Sequence, residues 1–147
     1  MEKLSFEDLK QLLMYKRVTE WNKEENYIVL EDGIKLTIKM TDWDCCASAS
    51  GEFEDVVLDA AITDVIEPKY KAWEKYDTYG CSAVVKMLHN QNLICKAIGD
   101  ANAGNGGYYY SIASFIVIMP KETGKQYQIH FVGSDDGQDE LANMKEA

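Results

Sequence analysis

The sequence predicts an α+β fold, an antiparallel β-meander of about six or seven strands with an N-terminal helix and one short additional helix. Three observations lead there. Over residues 34–41, Ile34, Leu36, Ile38 and Met40 alternate with Lys35, Thr37, Lys39 and Thr41, the period of a half-buried strand. From Cys81 onward, apolar runs of strand length recur between short polar turns. Ahead of both, residues 4–16 carry apolar side chains at helical spacing. A chain of 147 residues, 46% hydrophobic and 27% charged with two prolines, is long enough to bury one core and has no linker-like run. The expected organisation is a single globular unit over 1–133, with a β-rich body at 18–133 and an acidic tail at 134–147.

In the helix at 4–16, Ser5 is a capping residue with Asp8 three positions on, and Phe6, Leu9, Leu12 and Leu13 form the buried stripe. Residues 18–22 and 27–30 read as short strands around a polar turn. Glu31-Asp32-Gly33 supplies a hairpin signal before the alternating strand. That strand loses its phase at Asp42. Continued regularly, it would bury Asp42 and Asp44, which is too costly for unpaired carboxylates. The strand therefore ends near Thr41 or carries a bulge that turns Trp43 and Cys45 inward and leaves both aspartates outside.

Residues 53–61 fit helical and strand periods equally, so periodicity leaves both open. The expected arrangement is a short helix at 52–59 followed by a strand at 61–66. Pro68 opens an aromatic segment with a helical turn, ending at Gly80. Strands at 82–88 and 92–98 flank the turn His89-Asn90-Gln91. The glycine- and asparagine-rich stretch 100–107 is a loop. Residues 108–119 form a long central strand, residues 127–131 a last alternating one, and one helical turn is expected around Leu141.

The net charge is −10, and residues 20–67 alone hold thirteen acids against three lysines. Such a field repels nucleic acid and anionic membranes and attracts cationic partners, and it also serves solubility. Four cysteines, Cys45, Cys46, Cys81 and Cys95, contain no C-x-x-C spacing. They read as reduced packing thiols, since adjacent cysteines strain the peptide between them when paired. The N-terminus has no apolar signal region and no run reaches the roughly 18–20 apolar residues of a membrane span. The expected location is the cytoplasm of a bacterial host cell, with no membrane association.

Val29-Leu30-Glu31-Asp32-Gly33, Asp44-Cys45-Cys46 and Ala61-Ile62-Thr63-Asp64-Val65 resemble the motifs of a family of small uncharacterised domains common in bacteriophages and mobile elements. Asn105-Gly106-Gly107-Tyr108-Tyr109-Tyr110 adds a weaker match, and the resemblance spans roughly residues 18–133. It implies a phage or prophage origin and carries no catalytic assignment.

The leading expectation is a non-enzymatic protein that needs no cofactor and does not bind nucleic acid directly. Glu24, Glu25, Glu31, Asp32, Asp42, Asp44, Glu52, Glu54 and Asp55 would present carboxylates to a basic host protein surface, in the manner of an anti-defence nucleic-acid mimic. Two alternatives stand beside it. Asn102, Asn105, Tyr108 and Tyr110 could hold a nucleotide-like ligand by stacking and hydrogen bonding. Asp42, Asp44 and Cys46, with His89 or His130, could ligate a metal for hydrolysis, although D-x-D-x-C matches no standard signature. The basic and aromatic residues Lys69, Tyr70, Lys71, Trp73, Lys75 and Tyr76 are read as a solvated face rather than a nucleic-acid site.

Overall fold

Ten strands in two stacked sheets, rather than six or seven in one meander, make up the body of the computed structural model, which describes residues 1–120 and 124–137. The first sheet has the order β1 (Glu2–Leu4), β10 (Gln126–Gly133), β9 (Ser111–Ile118), β4 (Lys35–Trp43), β3 (Tyr27–Leu30), β2 (Val18–Asn22). The second has the order β5 (Ala49–Glu54), β8 (Asn92–Asn102), β7 (Thr78–His89), β6 (Asp64–Lys75). All pairings are antiparallel except β1 with β10. Among the described residues, no helix is long and apolar enough to cross a membrane.

The sheets enclose one shared core, to which the second contributes Phe53, Val85 and Met87 as well as several alanines. Leu36, Ile38, Phe115, Ile129 and Phe131 are buried on the first sheet; Ala83, Ala97 and Ala101 answer from the second. Phe115 and Phe131 stack with centroids 4.5 Å apart. The Phe131 ring lies so close to Gly99 that a Cβ there would sit 2.6 Å from it.

The helix α1 is Phe6–Leu13, shorter than the expected 4–16 because Leu4 belongs to β1 and Tyr15 has a left-handed φ of 66°. Its capping box is as expected: Ser5 accepts from the Asp8 amide, and Asp8 from the Ser5 amide. Leu9 and Leu13 are buried. Gly33, at φ 89°, turns the β3–β4 hairpin as its Asp-Gly pair predicted, and Asn90 and Gln91 form the left-handed turn between β7 and β8.

The additional helix at 52–59 does not form. Phe53 is buried as part of β5, and left-handed φ values at Asp55 (54°) and Asp59 (66°) are incompatible with a helix. Nor does Pro68 start a helical turn. It lies within β6 at a register shift between Ile66 and Lys69, on an edge strand where a missing N–H costs little. The aromatic segment after it is one arm of the long β6–β7 hairpin, turned at Tyr76-Asp77. Of the acidic tail, residues 134–137 are described and form a turn; the expected helical turn around Leu141 lies outside the described residues.

Candidate functional site

At the far end of the second sheet, the β6–β7 hairpin tip meets residues 103–110 and encloses an open recess of about 1010 Å³. Trp73, Lys75, Tyr76, Tyr79, Asn105 and Tyr108 line it. Each aromatic has a local reason for its place. Trp73 pairs across strands with Gly80, where a Cβ would come within 2.3 Å of the indole, so the ring lies flat on β7. Its indole N–H donates to Asp100 at 2.8 Å, and the Ser82 hydroxyl donates to the same carboxylate oxygen at 2.9 Å. Tyr76 occupies a left-handed turn position, φ 55°, and stands 90% exposed; Tyr108 is 86% exposed. The Lys75 ammonium lies 5.6 Å above the Tyr76 ring.

The loop bearing Asn105 and Tyr108 is held from both sides. Thr78 donates its hydroxyl to the Gly104 carbonyl at 2.8 Å, the Ala103 amide donates to Tyr79 O at 3.0 Å, and Gly107 lies against the Tyr79 ring. On the other side stands the segment 41–47. The Asp44 amide donates to Tyr110 O at 2.9 Å, the Tyr110 hydroxyl donates to Asp42 at 2.9 Å, and Gly104 lies against the Cys46 carbonyl. The bond to Asp42 raises the Tyr110 hydroxyl above its ordinary pKa, since the carboxylate accepts only from the neutral phenol.

The phase break at Asp42 is a β-bulge, between Met40 and Asp42 opposite Ala113 and Ile112. Asp42 and Asp44 face solvent, but Trp43 is 52% exposed and Cys45 is exposed, so the expected inward turn of Trp43 and Cys45 is corrected. Strand β9 begins only at Ser111, so the expected strand at 108–119 loses its first turn of tyrosines to the loop. Cys81 and Cys95 are buried packing thiols, and burial pushes Cys95 up to about 12. Cys45 and Cys46 are not packing residues. Their sulfurs sit 2.9 Å apart at the surface.

The four residues expected to bind a ligand divide. Asn105 and Tyr108 line the recess, whereas Asn102 bonds to Ser48 and Gly104, and Tyr110 to Asp42. The expected metal set is not assembled. His89 bonds to Ala61 O at 2.7 Å at the opposite end of β7, His130 bonds to Asp136, and no group of three metal-ligating side chains occurs among the described residues.

The nine acids lie on several turns and strand ends. Asp32 pairs with Lys16 at 2.7 Å, Glu54 and Asp55 with Lys96 at 3.8 and 3.2 Å, and Glu31 accepts from the Arg17 amide at 3.3 Å. Asn26 donates to Ile38 O at 3.2 Å and Gly51 O at 2.7 Å, tying the turn of Glu24 and Glu25 to the strand of Glu52. Among the described residues these three acids, and Asp44, carry no ion pair.

A model of the domain of unknown function DUF7448 matches residues 11–116, most of the chain. The chain belongs to the DUF7448 family. No curated protein and no solved structure matches. The DUF7448 match starts within α1 and ends within β9, so it contains the bulge, the two surface cysteines, the β6–β7 hairpin and the loop 103–110. The match agrees with the expectation of an uncharacterised domain family, over a span that begins and ends earlier than 18–133.

The residues that sequence reasoning missed are Trp73, Lys75, Tyr76 and Tyr79. They were visible as an aromatic segment, but reading it as helical separated it from the loop 103–110. Its alternation, Lys69, Lys71, Trp73 and Lys75 against Tyr70 and Ala72, was the strand signal available.

Proposed function

We propose that this DUF7448 protein is a non-enzymatic binding module of phage or mobile-element origin, and that its ligand is nucleotide-like and sits in the aromatic recess. The observation that carries this reading is the pair Tyr76 and Tyr108, almost wholly exposed at the rim of one recess and borne by two different elements. Large aromatic rings gain by covering one another or a ligand, and two of them left open beside an indole form a stacking platform. Lys75 offers one cation for a phosphate, while Glu74 and Asp77 beside it disfavour a highly charged one. A nucleoside monophosphate or a cyclic nucleotide fits this balance better than a triphosphate. The motif resemblance supports the phage or mobile-element origin.

Trp73 reports on this site. Titrating the protein with nucleoside monophosphates and cyclic nucleotides is expected to quench its fluorescence saturably. Tyr108→Ala should weaken binding by about 1–3 kcal/mol, the usual worth of one base stacked on an aromatic ring. No saturable change with any of these ligands at millimolar concentration would sink the reading.

A second reading keeps the acidic surface as the functional one, with a basic host protein as partner and an anti-defence role. Its support is the placement of Glu24, Glu25 and Glu52 on two elements tied through Asn26, with no lysine or arginine paired to them among the described residues.

A further inference from the structure

Cys45 and Cys46 occupy the two central positions of a turn closed by the Ala47 amide, which donates to Asp44 O at 3.2 Å. Cys46 has a φ of 74°, a left-handed value that a residue with a side chain adopts only where its surroundings hold it there. The surroundings do hold it: the Asp44 amide is bonded to Tyr110 O, and the Cys46 carbonyl is backed by Gly104. In this conformation the two sulfurs lie 2.9 Å apart, and both residues are open to solvent. A disulfide bond of about 2.05 Å needs them to approach by roughly 0.9 Å. The other two thiols of the chain are inaccessible.

We infer that Cys45 and Cys46 form a thiol–disulfide exchange site whose co-substrate is a low-molecular-weight disulfide. One thiolate attacks a sulfur of the small disulfide, forms a mixed disulfide and releases the first small thiol. The neighbouring sulfur gives up its proton, attacks the protein-bound sulfur and displaces the second. Two protein thiols and one small disulfide become one protein disulfide and two small thiols, with two electrons passing from the protein. Adjacency makes the second step intramolecular, so the mixed disulfide does not accumulate. The eight-membered ring that results strains the intervening peptide, and strained, exposed disulfides are the readily reduced ones. The site is therefore reversible rather than a structural staple.

Ring closure moves the backbone that backs Gly104, so oxidation loosens the loop 103–110. What this does to ligand binding rests on the recess reading; the thiol chemistry does not.

The test uses the full chain, reduced and then treated with oxidised glutathione, followed by intact mass and peptide mapping without reductant. The wild type is expected to lose two hydrogens, keep no glutathione and carry its disulfide on the peptide containing residues 45 and 46. Dithiothreitol should restore the starting mass. Cys45→Ser and Cys46→Ser should each retain one glutathione, and both positions are exposed enough for the variants to fold. A wild type that retains glutathione at either position, or that leaves both thiols free, overturns the inference. Amide exchange over residues 103–110 should be about tenfold faster in the oxidised form, and unchanged exchange overturns the link to the loop. A failure of nucleotides to bind would count against the recess and leave the mass result standing.

Discussion

At the scale of single residues, the least expected partnership is between His130 of β10 and Asp136 in the turn after it, which meet at 2.7 Å. Burial pushes the Asp136 carboxyl up, but the His130 ring and the Gly133 amide outweigh it and hold it below its ordinary 3.8. A carboxylate with a lowered folded pKa stabilises the fold above its unfolded value and loses that contribution as pH falls through the lowered one. Asp136→Asn should therefore cost about 0.5–1 kcal/mol near neutral pH, a modest figure because both side chains are partly exposed. The gap between variant and wild type should close below pH ~4. Urea midpoints measured from pH 7 down to pH 3 check this, and a gap that stays constant means the carboxylate charge is irrelevant. The turn matters because it sets Gly137 against Ala72 of β6, where a Cβ would lie 2.7 Å from the alanine methyl.

Among the elements, the loop 103–110 joins the bulge to the recess, and Gly104 is its pivot. Its φ is 71°, and a Cβ there would stand 2.8 Å from the Cys46 carbonyl oxygen and from the Tyr109 ring. Gly104→Ala should cost about 1–3 kcal/mol through strain and displacement. It should also weaken nucleotide binding as Tyr108→Ala does, although residue 104 does not line the recess. A thermal melt together with the Trp73 titration separates the two effects. This pivot was legible only as a glycine in a loop, because the Cys46 carbonyl that demands it is far away in sequence. The same limit explains the other differences. The capping box of Ser5 and Asp8 and the Gly33 turn are local, and sequence reading placed them. The bulge at Asp42 was visible because burying a carboxylate is costly, but the outward turn of Trp43 was not. For 52–59, two periods coincided, and left-handed backbone at Asp55 and Asp59, which the sequence does not announce, excludes the helix and leaves β5 to end at Glu54 with a turn after it. The recess was half legible: Asn105 and Tyr108 were named, but their partners depend on pairing β6 with β7 beyond Pro68.

Across the whole molecule, sequence concentrates charge in a way that the fold partly undoes. Residues 20–67 carry a formal charge as large as the chain's −10, yet they cross from one sheet to the other and end against Lys16 and Lys96. Three of the nine expected acids, Asp32, Glu54 and Asp55, are thereby engaged within the protein, and Glu31 and Asp42 accept hydrogen bonds from the Arg17 amide and the Tyr110 hydroxyl. Of the other four, Asp44 lies at the bulge, and Glu24, Glu25 and Glu52 are gathered where the β2–β3 turn meets β5 through Asn26, away from the recess formed by the β6–β7 tip. A basic partner held there would be attracted by exposed charges, and these are screened beyond about 8 Å at physiological salt. Its affinity should fall at least about tenfold between roughly 50 and 500 mM salt, chiefly through slower association. Replacing Glu24, Glu25 and Glu52 by glutamine should remove most of that dependence without altering nucleotide quenching of Trp73. The measurement is the dissociation constant of a partner captured on the immobilised protein, taken at both salt concentrations for wild type and triple variant. A wild-type affinity that is flat with salt would separate the charge of this molecule from its recognition, leaving the carboxylates a role in solubility and the aromatic recess as the binding surface.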